Sequence, residues 1–274
     1  MAGVMSRAAF VTLVTNADYG LGALALARSL KAVGTDFPLV VLATPDADGL
    51  DALEREGAVI RPVQQPALSD AFRRNHTRDR QHKVKPFNKG IKPVFHDPLD
   101  NFCKLRLWEL DDVDRAVFLD ADTIVVKPID KLFAYPEFCA APNVYESVVD
   151  FHRMNSGVFT ARPSKATYDD MLVHLDRSDI FWPRTDQTFL QDFFPDWHGL
   201  PWCYNTMQYV FFNLPQLWDW RQIRVLHYQY EKPWEPDHPK QRQLGPLIDL
   251  WYGVLERGHI PDQVDTPFAV ELQD

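Results

Sequence analysis

From residue 10 to residue 61, short apolar runs alternate with stretches of helical spacing, and few architectures accommodate that order. Residues 10–16 (Phe-Val-Thr-Leu-Val-Thr-Asn) read as a buried strand that ends in polar residues. Residues 19–32 place Leu21, Leu24, Ala25, Arg28, Ser29 and Leu30 at helical intervals, with Gly34 as a stop. A second strand over residues 39–43, a helix over 49–56 and a third strand near 58–61 follow. Strands that alternate with helices imply a mostly parallel sheet, and ligands of such sheets bind beyond the carboxyl ends of the strands. Thr15, Asn16, Asp18 and Tyr19, at the end of the first strand, are therefore candidate nucleotide contacts. The turn carries neither G-x-G-x-x-G nor G-x-x-x-x-G-K-[ST], which argues against the usual dinucleotide fold and against a phosphate-cradling ATPase loop.

Residues 117–126 (Val-Phe-Leu-Asp-Ala-Asp-Thr-Ile-Val-Val) set two carboxylates one residue apart between apolar, β-prone flanks. Asp120 and Asp122 thus fall where one buried strand ends and a short one begins. Burying two like charges so close together is costly unless a cation shares them, and hard cations of the Mg²⁺ or Mn²⁺ class favour carboxylate and phosphate oxygens. An exposed strand-end turn accounts for the same tripeptide, so by itself it leaves both readings open.

A chain of 274 residues with 46% hydrophobic content can build one large α/β domain or two small ones. A net charge of −9 argues against nucleic acid as the main partner, because phosphate-backbone binding relies on concentrated Lys and Arg. Cys103, Cys139 and Cys203 are odd in number and far apart, which fits reduced core thiols better than a disulfide framework or a zinc ribbon. The short lead into the first strand leaves no room for a secretory signal, and no apolar stretch reaches membrane-spanning length. A soluble, cytoplasmic protein is the expectation.

Regular patterning fails from 62 to 98, where Arg73, Arg74, Arg78, Arg80, Lys83, Lys85, Lys89 and Lys92 are interspersed with His76, His82 and His96. This basic segment fits a solvated loop first, with a lid or a dock for an anionic acceptor or a membrane surface as the second reading. Residues 100–110 look helical, and Lys104 is the exception on a largely apolar stretch. Its amine fits a surface position or an approach to a phosphate near Asp120. A turn and short helix (128–133) and a strand (138–141) come next. Asn155-Ser156-Gly157 reads as a polar turn leading into an apolar strand, with Gly157 permitting close backbone approach and Asn155 able to bond a sugar hydroxyl. Residues 164–175 form an amphipathic helix capped by Ser164. Asp186-Gln187 opens another helix, as capping chemistry or as part of a site. A strand over 223–226 ends in His227, and for the tryptophans of the tail core packing is favoured over sugar stacking.

Thr15-Asn16 after the first strand, Lys104-Leu105, Asp120-Ala121-Asp122, Asn155-Ser156-Gly157, Asp186-Gln187, Tyr204-Asn205, and His227 followed by Lys232-Pro233-Trp234 stand in one order. In that order they match glycosyltransferase family 8. From about Val11 to Trp234 the chain resembles this family, which includes glycogenin, the galactinol synthases and bacterial lipooligosaccharide galactosyltransferases. The resemblance implies an α/β GT-A fold with a mostly parallel, mixed central sheet. It implies a single catalytic domain over 1–274, with 62–98 as the basic loop and 235–274 as a C-terminal extension. The activity implied is retaining transfer of a hexose from a UDP-sugar to an external acceptor sugar, cyclitol or anionic lipid, assisted by Mn²⁺ or alternatively Mg²⁺.

Under that resemblance Asp120, Asp122 and His227 hold the metal, while Leu13, Thr15, Asn16 and Tyr19 hold the uridine. Lys104 meets the donor sugar or its phosphate, Asn155 and Asp186 bind sugar hydroxyls, Gln187 lies beside the anomeric carbon, and Lys232 clamps the diphosphate. Ala121 and Ser156 belong to the same donor-binding motifs. An amide is a poor nucleophile, so Gln187 implies front-face attack through an oxocarbenium-like state, unlike the paired carboxylates of retaining hydrolases. Two departures stand out. Glycogenin-like members carry a glycine between the metal histidine and a lysine six residues after it, whereas here Lys232 comes five residues after His227 and Gln229 or Tyr230 takes the place of that glycine. Phe211 or Phe212 occupies the position of glycogenin's self-glucosylated tyrosine, which disfavours self-priming. A metal-dependent nucleotide-sugar hydrolase or pyrophosphorylase, or a non-catalytic nucleotide-sugar binder, are the alternatives.

Overall fold

A computed structural model describes residues 7–82, 97–144 and 147–268. The N-terminal alternation forms as expected: β1 (Ala8–Val14), α1 (Ala17–Ala32), β2 (Leu39–Ala43), α2 (Leu50–Arg55) and β3 (Val59–Pro62). The helix begins where Asn16 Oδ1 accepts the amide of Tyr19 at 3.0 Å, which satisfies one of the free N–H groups of the first turn.

The chain continues through α3 (Asp70–Asn75), α4 (Arg78–His82), β4 (Arg115–Leu119), β5 (Thr123–Val125), β6 (Cys139–Pro142) and β7 (Met154–Ala161). Beyond these lie α5 (Lys165–Leu175), α6 (Asp186–Phe193), β8 (His198–Gly199), β9 (Thr206–Met207), α7 (Val210–Asn213), β10 (Val225–His227) and α8 (Gln241–Arg257). The central sheet has the order β3-β2-β1-β4-β7-β6-β8. Its first four strands are parallel, β7 runs antiparallel to β4 and β6, and β8 pairs parallel to β6. A second sheet, β5-β10-β9, stands apart from it.

Burial on both faces explains the unbroken apolar runs. In β1, Val11 and Leu13 pack with Phe102, Trp108 and Met171, whereas Phe10 and Val14 pack on the opposite face with Leu26, Leu30 and Phe133. Trp220 and Trp251 belong with α8 to a third core cluster under the small sheet, and Trp234 packs against it partly buried. Cys103, Cys139 and Cys203 are free and buried, and burial pushes the Cys103 thiol up to about 12. Among the described residues no helix is long and apolar enough to cross a membrane.

Three local expectations are corrected. Residues 98–109 form a 3₁₀ rather than an α-helix, because Leu99, Phe102, Leu105 and Trp108 recur every third residue and all enter one core cluster. Asn155-Ser156-Gly157 is not a turn: it lies inside β7, where Asn155 pairs with Ala141 next to an irregularity between Ala140 and Ala141. The segment 62–98 is not patternless in its first half, since α3, capped by Ser69, and α4 form there. Lys83, Lys85, Lys89, Lys92 and His96 fall outside the described residues.

The chain crosses between the two sheets at Asp120–Asp122. Asp120 still donates its amide to Gly157 O on β7 at 2.8 Å, while the Asp122 carbonyl accepts from Tyr228 N, just past β10, at 2.8 Å. Thr123 Oγ1 closes the turn onto Asp120 O at 2.8 Å.

Candidate active site

The turn opens into a cavity at the carboxyl ends of β1 and β4. Its walls include Leu13, Thr15, Tyr19, Lys104, Asp120, Ala121, Asp122, Asn155, Ser156, Asp186, Gln187 and Lys232. Of the expected donor-binding residues Asn16 is the one set back: its side chain caps α1 and does not line the cavity. His227 sits immediately behind the wall, 4% exposed.

Lys104 is no surface lysine. It is 6% exposed, and its ammonium lies 2.8 Å from Asp120 Oδ1 and 2.9 Å from Asp186 Oδ2. Burial opposes its charge, but Asp120 and then Asp186 outweigh it and hold the ammonium above the ordinary lysine value. Asp186 Oδ2 also accepts the Ser156 hydroxyl at 2.7 Å, and Oδ1 accepts the Thr185 hydroxyl at 2.9 Å. Thr185 adopts φ +47°, an unusual angle for a β-branched residue, where the chain turns into α6.

The two metal-motif carboxylates are electrostatically unequal. Burial followed by the like charge of Asp122 raises Asp120 above the usual carboxylate range, although Lys104 opposes this. For Asp122 burial acts in the same direction, but Lys232 and then His227 outweigh it and hold that carboxyl well below its ordinary value. Lys232 forms an ion pair with Asp122 Oδ2 and donates to Tyr228 O at 3.0 Å.

Behind these charges runs a relay of amides. His227 Nδ1 lies 2.9 Å from Asn205 Oδ1, Asn205 Nδ2 donates to Asn155 Oδ1 at 2.8 Å, and Asn155 Nδ2 donates to Gln187 Oε1 at 3.1 Å and to Asn143 Oδ1 at 3.2 Å. Asn155 Oδ1 accepts in addition from Gly157 N at 2.9 Å. Both amide hydrogens and both oxygen lone pairs of Asn155 are thereby used within the protein, and one of these bonds goes to Gln187. Asn143 and Asn205 were not singled out for roles from the sequence. Polar asparagines on otherwise apolar segments were the available signal, since buried amides must find partners.

A divalent cation fits this arrangement. One donor atom each from Asp120, Asp122 and His227 can be chosen so that all lie within 4.8 Å of one another. Since Asn205 presents its oxygen, His227 donates from Nδ1, and its Nε2 stands 3.2 Å from Asp122 Oδ1. Two carboxylates and an imidazole nitrogen this close together form a donor set that a divalent cation can share. Gly157 makes the room: a Cβ there would stand 2.4 Å from His227 Cε1.

The sequence matches the profile of Glycosyl transferase family 8 over residues 10–237. It is 31% identical to the putative UDP-glucuronate:xylan alpha-glucuronosyltransferase 5 of Arabidopsis thaliana, over 83% of this chain and 36% of that protein. Human Glycogenin-1 is 32% identical over 94% of this chain and 74% of its own length. The chain thus spans about a third of the plant protein's length. The fold is similar to the crystal structure of galactosyltransferase LgtC in complex with donor and acceptor sugar analogues, with a TM-score of 0.60 at 16% identity, covering 92% of this chain and 97% of that one. The family match over most of the chain, with a fold like that of a solved galactosyltransferase, shows that the chain belongs to glycosyltransferase family 8.

Proposed function

We propose that the protein is a retaining α-hexosyltransferase that moves a sugar from a UDP-sugar to an external acceptor with the help of Mn²⁺. The observation that carries this reading is the convergence of Lys104 and Lys232 on the same carboxylate pair that, with His227, can hold a cation. Two ammoniums and three carboxylates around one cavity suit a diphosphate leaving group bound together with a divalent ion. When bound, the ion supplies positive charge against the leaving diphosphate.

This chain's own residues supply the remainder. Leu13 and Thr15, at the end of β1, and Tyr19, in the first turn of α1, form the wall for the nucleoside. Lys232, at the opposite side of Asp122, is placed to follow the phosphate charge as it develops. Asp186, fixed by Lys104, Ser156 and Thr185, faces the cavity as the acceptor of donor-sugar hydroxyls. Gln187, held by Asn155, carries no charge and cannot form a stable covalent ester with the sugar. Attack from the face of the departing phosphate follows, with the acceptor proton passing to the phosphate oxygen.

Incubation with UDP-glucose, UDP-galactose, UDP-N-acetylglucosamine and UDP-glucuronate in Mn²⁺ tests this reading. One donor should raise the melting temperature above the others, as a ligand bound only by the native state does. Its UDP should then be released faster when acceptor is present. Equal release with and without acceptor would favour a hydrolase and defeat the proposal.

A further inference from the structure

A second cavity of about 360 Å³ opens beside the first, between the segment that enters β7 and the outer face of α6. Arg153, Arg184, Gln187, Thr188, Gln191 and Asp192 line it. The last four share one helical face, and Arg184 and Gln187 belong to both cavities. The amide assigned to the transfer point therefore stands on the partition between them.

The lining charge is uneven. It comprises two guanidiniums and a single carboxylate, Asp192, which is already engaged by His174 Nε2 at 2.8 Å. Arg153 pairs through one amino group with Asp150, while its Nε is buried and has no hydrogen-bond partner among the described residues. That guanidinium therefore keeps hydrogen-bonding capacity beyond its pair with Asp150. The Arg184 amide donates to Thr188 Oγ1 at 3.2 Å, which fixes that residue at the start of α6. Forked guanidiniums match planar carboxylates and phosphates better than neutral hydroxyls.

We propose that this cavity is the acceptor subsite and that it selects an acceptor bearing a carboxylate or phosphate. Arg153, with Arg184, holds the anion, while a hydroxyl of the same molecule reaches the anomeric carbon at Gln187. The acceptor oxygen bonds to that carbon as the carbon–oxygen bond to UDP breaks. The bonding electrons go to the departing phosphate oxygen, and the hydroxyl proton follows them there. This inference rests on the transferase reading.

Calorimetric titration of the protein saturated with UDP and Mn²⁺ separates the two. Glucuronate and glucose 6-phosphate should bind at least about tenfold more tightly than glucose. Arg153→Gln should erase that preference and Arg153→Lys restore part of it, whereas a loss of packing alone would weaken all three probes together. Equal affinity for the three probes, a preference that survives Arg153→Gln, or no saturable binding of either anion overturns the inference. So does a loss of UDP-glucuronate affinity relative to UDP-glucose in Arg153→Gln, which would assign the anion to the donor sugar. Failure of UDP itself to bind would sink the transferase reading, while UDP binding without anion preference sinks only the acceptor assignment.

Discussion

The ammonium of Lys104 lies 2.9 Å from Oδ2 of Asp186, joining a 3₁₀ helix to the first residue of α6 across the floor of the cavity. Asp120 lies as close, so one buried ammonium serves a buried carboxylate and a partly exposed one. Removing the cation while keeping shape leaves both anions uncompensated. Lys104→Met should cost ~3–5 kcal/mol in urea unfolding, and the double variant Lys104→Met/Asp186→Asn should recover part of that loss. A Lys104→Met cost below about 1 kcal/mol would mean that the pair is solvated and worth no more than a surface ion pair.

Asn205 fixes the tautomer and orientation of His227 without touching the metal position itself. Partners of this kind typically matter ~10–100-fold in metal affinity. Asn205→Ala should therefore weaken Mn²⁺ binding by that order in a direct titration, with the fold retained by circular dichroism. Unchanged affinity would remove the amide relay from the account.

Gly157 is needed for space. Its φ is unremarkable, but a methyl group there would stand 2.4 Å from Cε1 and 2.6 Å from Nδ1 of His227. Gly157→Ala should displace the imidazole, cost ~1–3 kcal/mol and reduce Mn²⁺ affinity more than a comparable Gly→Ala change at Gly245. At Gly245 a Cβ meets only Gln241 Nε2, at 3.5 Å.

His76 gives the loop that carries Arg184 and Asp186 a pH-dependent anchor. Its Nε2 accepts from Trp182 N at 2.9 Å, its Nδ1 lies 3.0 Å from Phe72 O, and its ring stacks between Phe72 and Phe181. Burial, seconded by Arg80 and opposed by Asp176 and the Phe72 carbonyl, holds the imidazole below its usual 6.5. The unfolded chain thus takes up this proton first, and the neutral ring's contribution is complete above about 6.5 and lost as pH falls through the folded value. Melting temperature should drop more between about pH 7.5 and pH 5 in the wild type than in His76→Gln, because only a titrating ring adds this slope. Parallel curves would show that His76 does not titrate in that window.

Much of this site could be read from residue order alone. The parallel sheet followed from the β1–β3 alternation, and the carboxylate turn followed from an Asp pair between apolar strands. The missing parts depended on contacts distant in sequence. Lys104 resembles a surface lysine until Asp186, 82 residues away, is brought beside it. Asn155 resembles a turn residue until Asn205, 50 residues on, completes its hydrogen bonds inside a strand. The 3₁₀ helix was legible in principle, since Leu99, Phe102, Leu105 and Trp108 spell a period of three, but an α-helical template absorbs short apolar runs of either kind.

The central claim is that Asp122, with its neighbours, holds a metal-bound nucleotide diphosphate, and titration of UDP into the protein with and without Mn²⁺ tests it most directly. The account predicts saturable UDP binding that requires the ion and weakens at least about 100-fold in Asp122→Asn. UDP affinity that is the same without Mn²⁺, or unchanged in Asp122→Asn, would contradict it.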